Sequence, residues 1–277
     1  MENMNLHIQL FNQEIMNESS YIMEADGNKN FIQKAIDFIK ETAKRFWKWL
    51  TTKVSEAKEK IMKFLKRKKQ EASNNDKKDD NSNNDKVIEC DLWDVAFSTS
   101  DLLTSVSQKF DNDFLNSDEV VNFTKEKYIE NHFNPKNLNN KSAMELTTDD
   151  MISITKIKKD NKNEILRVID NLEKELHDTT TIKKDYDKLV SGLLKSLESY
   201  SKCLSQAEQN PNAYSGVSLK RDNIDMETSS DYATTTKFKV GNMIKMFQLD
   251  NQIIMHILST KLSAIVKSID HDTSLLA

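Results

Sequence analysis

The chain has 277 residues, of which 37% are hydrophobic and 30% charged, with a formal net charge of −4; so small an apolar share suits a thin, elongated helical bundle better than a sandwich. Four glycines and two prolines leave too few turn residues for an all-β or α/β chain. Cys90 and Cys203 lie far apart with no CxxC spacing and read as buried or incidental thiols in a reducing compartment, and neither a basic-then-apolar leader nor an apolar run of about 18 residues is present to predict export or a membrane span.

In chain order, residues 1–28 form an acidic N-terminal segment with five acidic and no basic residues. Residues 29–69 reverse the sign, with 14 basic and four acidic residues. Their apolar positions, Ile32, Ile36, Ile39, Ala43, Phe46, Leu50, Val54, Ala57, Ile61 and Phe64, advance by three and four, which only a helix gathers on one face. Phe38, Trp47 and Trp49 widen that stripe, and Lys66, Arg67, Lys68 and Lys69 suit a C-terminal turn. The spacing predicts one long basic amphipathic helix, or two with a slight break near Thr51 and Thr52.

Residues 70–86, QEASNNDKKDDNSNNDK, cannot bury enough apolar surface to offset their ordering entropy and read as a flexible, disordered linker. Residues 87–277 then read as a helical bundle. Helices are expected to start near Ser98 or Ser100 and at Ser117, where Asp118 and Glu119 suit a first turn. Asn134, Pro135 and Asn139 mark a loop. In MISITKI, from Met151 to Ile157, a short strand competes with helix, and helix is favoured. Two long helices follow, one carrying Leu166, Ile169, Leu172 and Leu176, the other Tyr186, Leu189, Val190, Leu193, Leu197, Tyr200 and Leu204, ending before Pro211. After a polar loop over 209–230, a last helix from about Asp231 to Ile269 turns Met243, Phe247, Ile254, Ile257, Leu258, Leu262, Ile265 and Ile269 inward and is apolar enough to be the central element. The fold expected is all-α.

Five histidines make no HExxH and no paired ExxH, and there is no P-loop, GxGxxG or GxSxG. Glu173 and His177 share a helix face, which an ordinary solvated pair explains. No catalytic residue, metal or cofactor is expected. The basic helix admits three readings: its stripe packs on the bundle; Phe46, Trp47 and Trp49 lie in a membrane interface among lysines; or Lys44, Arg45, Lys48, Lys63, Lys66, Arg67, Lys68 and Lys69 neutralise phosphates of nearby DNA or anionic lipid.

The acidic head ending YIMEA, the Lys-rich, Trp-containing helix FIKETAKRFWKWLTTKVSEAKEKIMKFLKR, the Asn/Asp/Lys linker and the ending NQIIMHILSTKLSAIVKSIDHDTS together resemble virion and internal head proteins of large tailed phages. The specific part of that likeness covers residues 21–69 and 247–273. Ile22-Met23-Glu24-Ala25 is similar to the Ile/Leu-x-Glu motif after which prohead proteases of such phages cut, although Ile39-Lys40-Glu41 fits it too and an ordinary turn around Asp26 and Gly27 is the alternative. The resemblance implies a non-enzymatic structural protein made in the host cytoplasm and carried in the virion, processed between Glu24 and Ala25. Its expected partners are other virion proteins, packaged DNA or an anionic membrane, and a second copy through the bundle, with no small-molecule substrate. A membrane-docking protein and a plain helical scaffold are the alternatives.

Overall fold

The computed structural model describes residues 13, 28–75, 89–95, 97, 114–133, 141–158, 161–178, 182–209 and 229–275. In chain order these form α1 (Asn28–Asn75), β1 (Glu89–Val95), a 3-10 turn at Phe114–Asn116, α2 (Asp118–Val121), α3 (Lys125–His132), a 3-10 turn at Ala143–Glu145, α4 (Thr148–Met151), β2 (Ile152–Lys158), α5 (Lys162–Asp178), α6 (Lys183–Gln209) and α7 (Ser229–Ser274). The chain is mostly helical, as the composition predicts.

Helix α1 has 48 residues and so runs about 72 Å at ~1.5 Å per residue. It passes Thr51 and Thr52 unbroken, and their hydroxyls, which in a helix can bond back to the preceding turn, donate to Trp47 O and Lys48 O, each at 2.8 Å. It also continues to Asn75, so the first residues assigned to the linker are helical; Gln70, Glu71 and Ala72 extend an existing helix at little cost. Residues 76–88 lie outside the described ones.

Helix α7 is the centre. Val240, Met243, Ile244, Met246, Phe247, Ile253, Met255, Ile257 and Ala264 are all buried, positions too widely spread round the axis for a surface helix. It packs most extensively on α1, then on β1, α5 and α4, and also touches α2, α3 and both 3-10 turns. Helix α1 packs in addition on α6. One contiguous hydrophobic cluster holds Phe31, Ile39, Phe46 and Leu50 of α1 together with Leu172, Tyr186, Phe247 and Ile257. The segments 29–69 and 87–277, separate units in the sequence reading, are walls of a single core.

The helical assignment for Met151 to Ile157 is corrected. A capping box between Thr147 and Asp150 starts α4, which ends at Met151, and Ile152–Lys158 is a strand. It pairs antiparallel with β1, with Leu92 opposite Thr155 and Trp93 opposite Ile154. The β-branched residues take the pleated conformation once β1 provides a partner, and β1 itself falls in a region the sequence reading gave to the bundle. Ser117 caps α2 as expected, its side chain accepting from Val120 N–H, but that helix stops after one turn and α3 begins at Lys125. In α5 the inward stripe is Ile165, Val168, Ile169, Leu172 and Leu176, whereas Leu166 is exposed. The expected starts at Ser98 or Ser100 and the loop at Asn134, Pro135 and Asn139 lie outside the described residues, as does the segment 210–228.

Candidate polyanion-binding face

Burial divides α1 lengthwise. Phe31, Ile32, Ile39, Phe46, Leu50 and Ile61 are in the core, and the helix turns Lys44, Lys48, Lys63 and Lys66 to solvent on its other side. The side chains of Lys44 and Lys63 are 76% and 71% exposed; that of Arg45, at the border of the stripe, is 34% exposed. Lys34, Lys40, Lys58 and Lys60 are exposed on the same helix and enlarge the basic set beyond the residues singled out by sequence. Arg67, Lys68 and Lys69 fall in its last turns, where only the backbone is described, and Glu24 and Ala25 lie outside the described residues.

Acidic residues interrupt this face at helical spacing. Glu41 lies 3.5 Å from Lys44 and 3.7 Å from Arg45, Glu56 is 2.8 Å from Lys53, and Glu59 is 2.6 Å from Lys63. The hydrogen bond and charge of Lys63 hold the Glu59 carboxyl below its ordinary range. Such exposed pairs add little to stability. They moderate the solvent face, which stays basic because lysines outnumber the acids along it.

The aromatic residues named as membrane-interface contacts are held by the bundle. Phe46 is fully buried and stacked on Tyr186. Trp47, half-buried, meets the same Tyr186 ring edge-on at 5.6 Å and donates its Nε1 hydrogen to Asp187 Oδ1 at 3.2 Å. Lys183 Nζ lies 5.7 Å from the Trp47 ring centroid. Trp49 packs partly buried against the core. Phe46 is thus closed off in the core, whereas Trp47 and Trp49 keep part of their surface exposed.

Sequence alone could not find the groove where α1 meets α7. Lys53, Glu56, Ala57 and Lys60 from α1 and Leu262, Ser263, Val266, Lys267 and Asp270 from α7 surround a cavity of ≈ 310 Å³. Lys60 and Lys267 are brought together only by tertiary packing. Lys267 is tied to Asp149 at 2.7 Å and sits 5.3 Å from the Trp93 ring centroid; burial raises the Asp270 carboxyl, opposed by the charge of Lys60.

A second polar cluster lies inside the bundle. The Tyr128 hydroxyl donates to Asp250 Oδ1 at 2.9 Å, the Tyr186 hydroxyl donates to Asn251 Oδ1 at 2.6 Å, and Asn242 Nδ2 donates to Val120 O at 2.9 Å. Desolvation pushes the Asp250 carboxyl well above its ordinary range, against the Tyr128 hydrogen bond, and it raises both tyrosines as well. Neighbouring Glu119 pairs with His132. These groups join α2, α3 and α6 to α7 through hydrogen bonds that an all-apolar core would lack. Glu173 and His177 flank an open surface depression with Asp170 and Lys174. Among the described residues no group of three or more His, Cys, Asp or Glu side chains is arranged to hold a metal, and no helix is long and apolar enough to cross a membrane.

Comparison with protein-family models, with curated proteins and with solved structures finds no match for this chain.

Proposed function

We propose that this chain is a non-enzymatic structural protein carried inside the head of a large tailed phage, in which α1 is a fixed wall of the bundle and its lysine face neutralises phosphates of packaged DNA. The observation that carries the reading is the lengthwise division of α1: the core consumes its apolar stripe and leaves Lys44, Lys48, Lys63 and Lys66 in water. A surface of cations whose apolar stripe is taken up by the core suits a polyanion bound by charge, a mode without sequence preference. The membrane-docking alternative calls on Phe46, Trp47 and Trp49, and requires α1 to leave a core it lines from Phe31 to Ile61.

The test is duplex DNA binding as a function of salt. Changing Lys44, Lys48, Lys63 and Lys66 to glutamine, none of them buried, is expected to weaken binding and to flatten the slope of log K against log salt by roughly 0.9 for each phosphate no longer neutralised. Unchanged affinity and slope overturn the reading. Mass and N-terminal sequence of the protein from purified particles test its packaging and processing, with a mature chain starting at Ala25 as the expected result.

A further inference from the structure

The two edges of the β1–β2 sheet are finished differently. In an antiparallel ladder each residue either exchanges both backbone bonds with its opposite partner or turns both away. Trp93 N–H is given to Asp272 Oδ1 at 3.0 Å, and Asp91 C=O accepts from His271 Nε2 at 2.9 Å, so both residues face away from β2. The side chains of His271 and Asp272 thus close the outer edge of β1 in place of a third strand. Asp91 and Trp93 stand opposite Lys156 and Ile154, whose own N–H and C=O groups therefore point to the outer edge of β2. Lys158, in the same alternation, agrees: its carbonyl accepts from Asn161 N–H at 3.0 Å, away from β1.

Nothing among the described residues closes that second edge. Ser153, Ile154, Thr155 and Lys156 are exposed in succession, Ile154 at 58%, and the strand packs chiefly on β1. An open edge with β-branched residues is a template for another strand. Its charge selects which. The strand, ISITKIK, contains two lysines and no acid, which disfavours pairing with a second copy of itself. β1 shows the complement it accepts, with Asp91 opposite Lys156 and Glu89 opposite Lys158.

We propose that the outer edge of β2 is a docking site for an extended acidic segment of another protein, which adds as a third strand and sets an acidic residue beside Lys156 and an apolar one beside Ile154. Its backbone bonds to the N–H and C=O of Ile154 and Lys156, and its acidic and apolar residues, two positions apart on one face, repeat the placing of Asp91 and Trp93 in β1.

The experiment is amide hydrogen exchange on the full chain, followed residue by residue, with a capped peptide that sets aspartate and valine two positions apart with threonine between them, as Asp91 and Trp93 are spaced in β1, and a control in which lysine replaces aspartate. The acidic peptide is expected to slow exchange of the Ile154 and Lys156 amides by about tenfold or more while leaving the Thr155 amide, already bonded to β1, as it was. The lysine peptide should protect neither Ile154 nor Lys156. Ile154→Pro removes an outward N–H that the β1 ladder does not use and should abolish the protection with an unchanged far-UV spectrum. Should that variant fail to fold, Lys156→Glu at an exposed position should reverse the preference to the lysine peptide. Absence of protection at Ile154 and Lys156, or equal protection by both peptides, overturns the proposal.

Discussion

Phe46 and Tyr186 stack with ring centroids 4.1 Å apart and planes 15° apart, and through this contact the middle of α1 is fixed to α6. Both rings are fully buried, and the Tyr186 hydroxyl continues inward to Asn251 of α7. Phe46→Ala removes a stacked ring from a closed core and is expected to lower stability by about 3–5 kcal/mol. Trp47→Ala, at a half-buried position, should cost less. Urea unfolding of the two variants gives both values, and an unchanged midpoint for Phe46→Ala contradicts the packing of α1 on α6.

Because α1 lines the core from Phe31 to Ile61, its amides over that span should exchange slowly in the isolated protein, near the rate set by global unfolding. A helix that waits in water for a bilayer exchanges fast. Native-state exchange monitored along residues 31–61 separates the two, and it needs no ligand.

Asp272 accepts the Trp93 N–H with one oxygen, and desolvation, the largest influence, lifts its carboxyl from the ordinary 3.8 to about 6. The folded chain then holds this proton more tightly than the unfolded one. The contribution is fully present below the ordinary pKa and is lost as the pH rises through about 6. Buried Asp250 acts with the same sign. Asp150, held down to about 2 by Lys141 and Thr147, acts oppositely and over a lower window, its stabilisation being lost as the pH falls from about 4 toward 2. Asp272→Asn keeps an oxygen for Trp93 N–H and should flatten the decline in melting temperature between pH 4 and about 6. A decline of the same steepness in that variant assigns the effect elsewhere.

Tyr128→Phe takes away the hydroxyl that satisfies Asp250 Oδ1, in a carboxyl whose Oδ2 has no partner. The expected cost is about 1–3 kcal/mol. Equilibrium unfolding of Tyr128→Phe measures it, and a cost near zero means that water or rearrangement replaces the bond.

The long helices were legible because their apolar positions recur at helical spacing. Ile32, Ile36, Ile39, Ala43, Phe46, Leu50, Val54, Ala57 and Ile61, read as one stripe, are all buried, as are the inward residues named for the last helix. What the α1 stripe packs against was not legible, since a bundle and a membrane interface ask for the same periodicity. At ISITKIK a strand competes with helix in the sequence and helix is favoured, because the segment is too short to declare a period; its partner ECDLWDV, far upstream, was missed, since pairing over such a separation leaves no local mark. For the same reason the lysines of the basic face could be named from sequence, whereas the meeting of Lys60 with Lys267 could not.

Helix α7 follows every other described element in the chain and touches nearly all of them. During synthesis the roughly 150 residues between α1 and α7 take on the order of ten to thirty seconds to appear. Throughout that interval a nascent α1 has made its full stripe of phenylalanine, isoleucine and tryptophan while α7, on which it packs most extensively, does not yet exist, and α6, which covers Phe46 and Trp47, comes only near the interval's end. The stripe of α1 is therefore only partly covered until α7 has been made, and the core closes once that last described helix joins it.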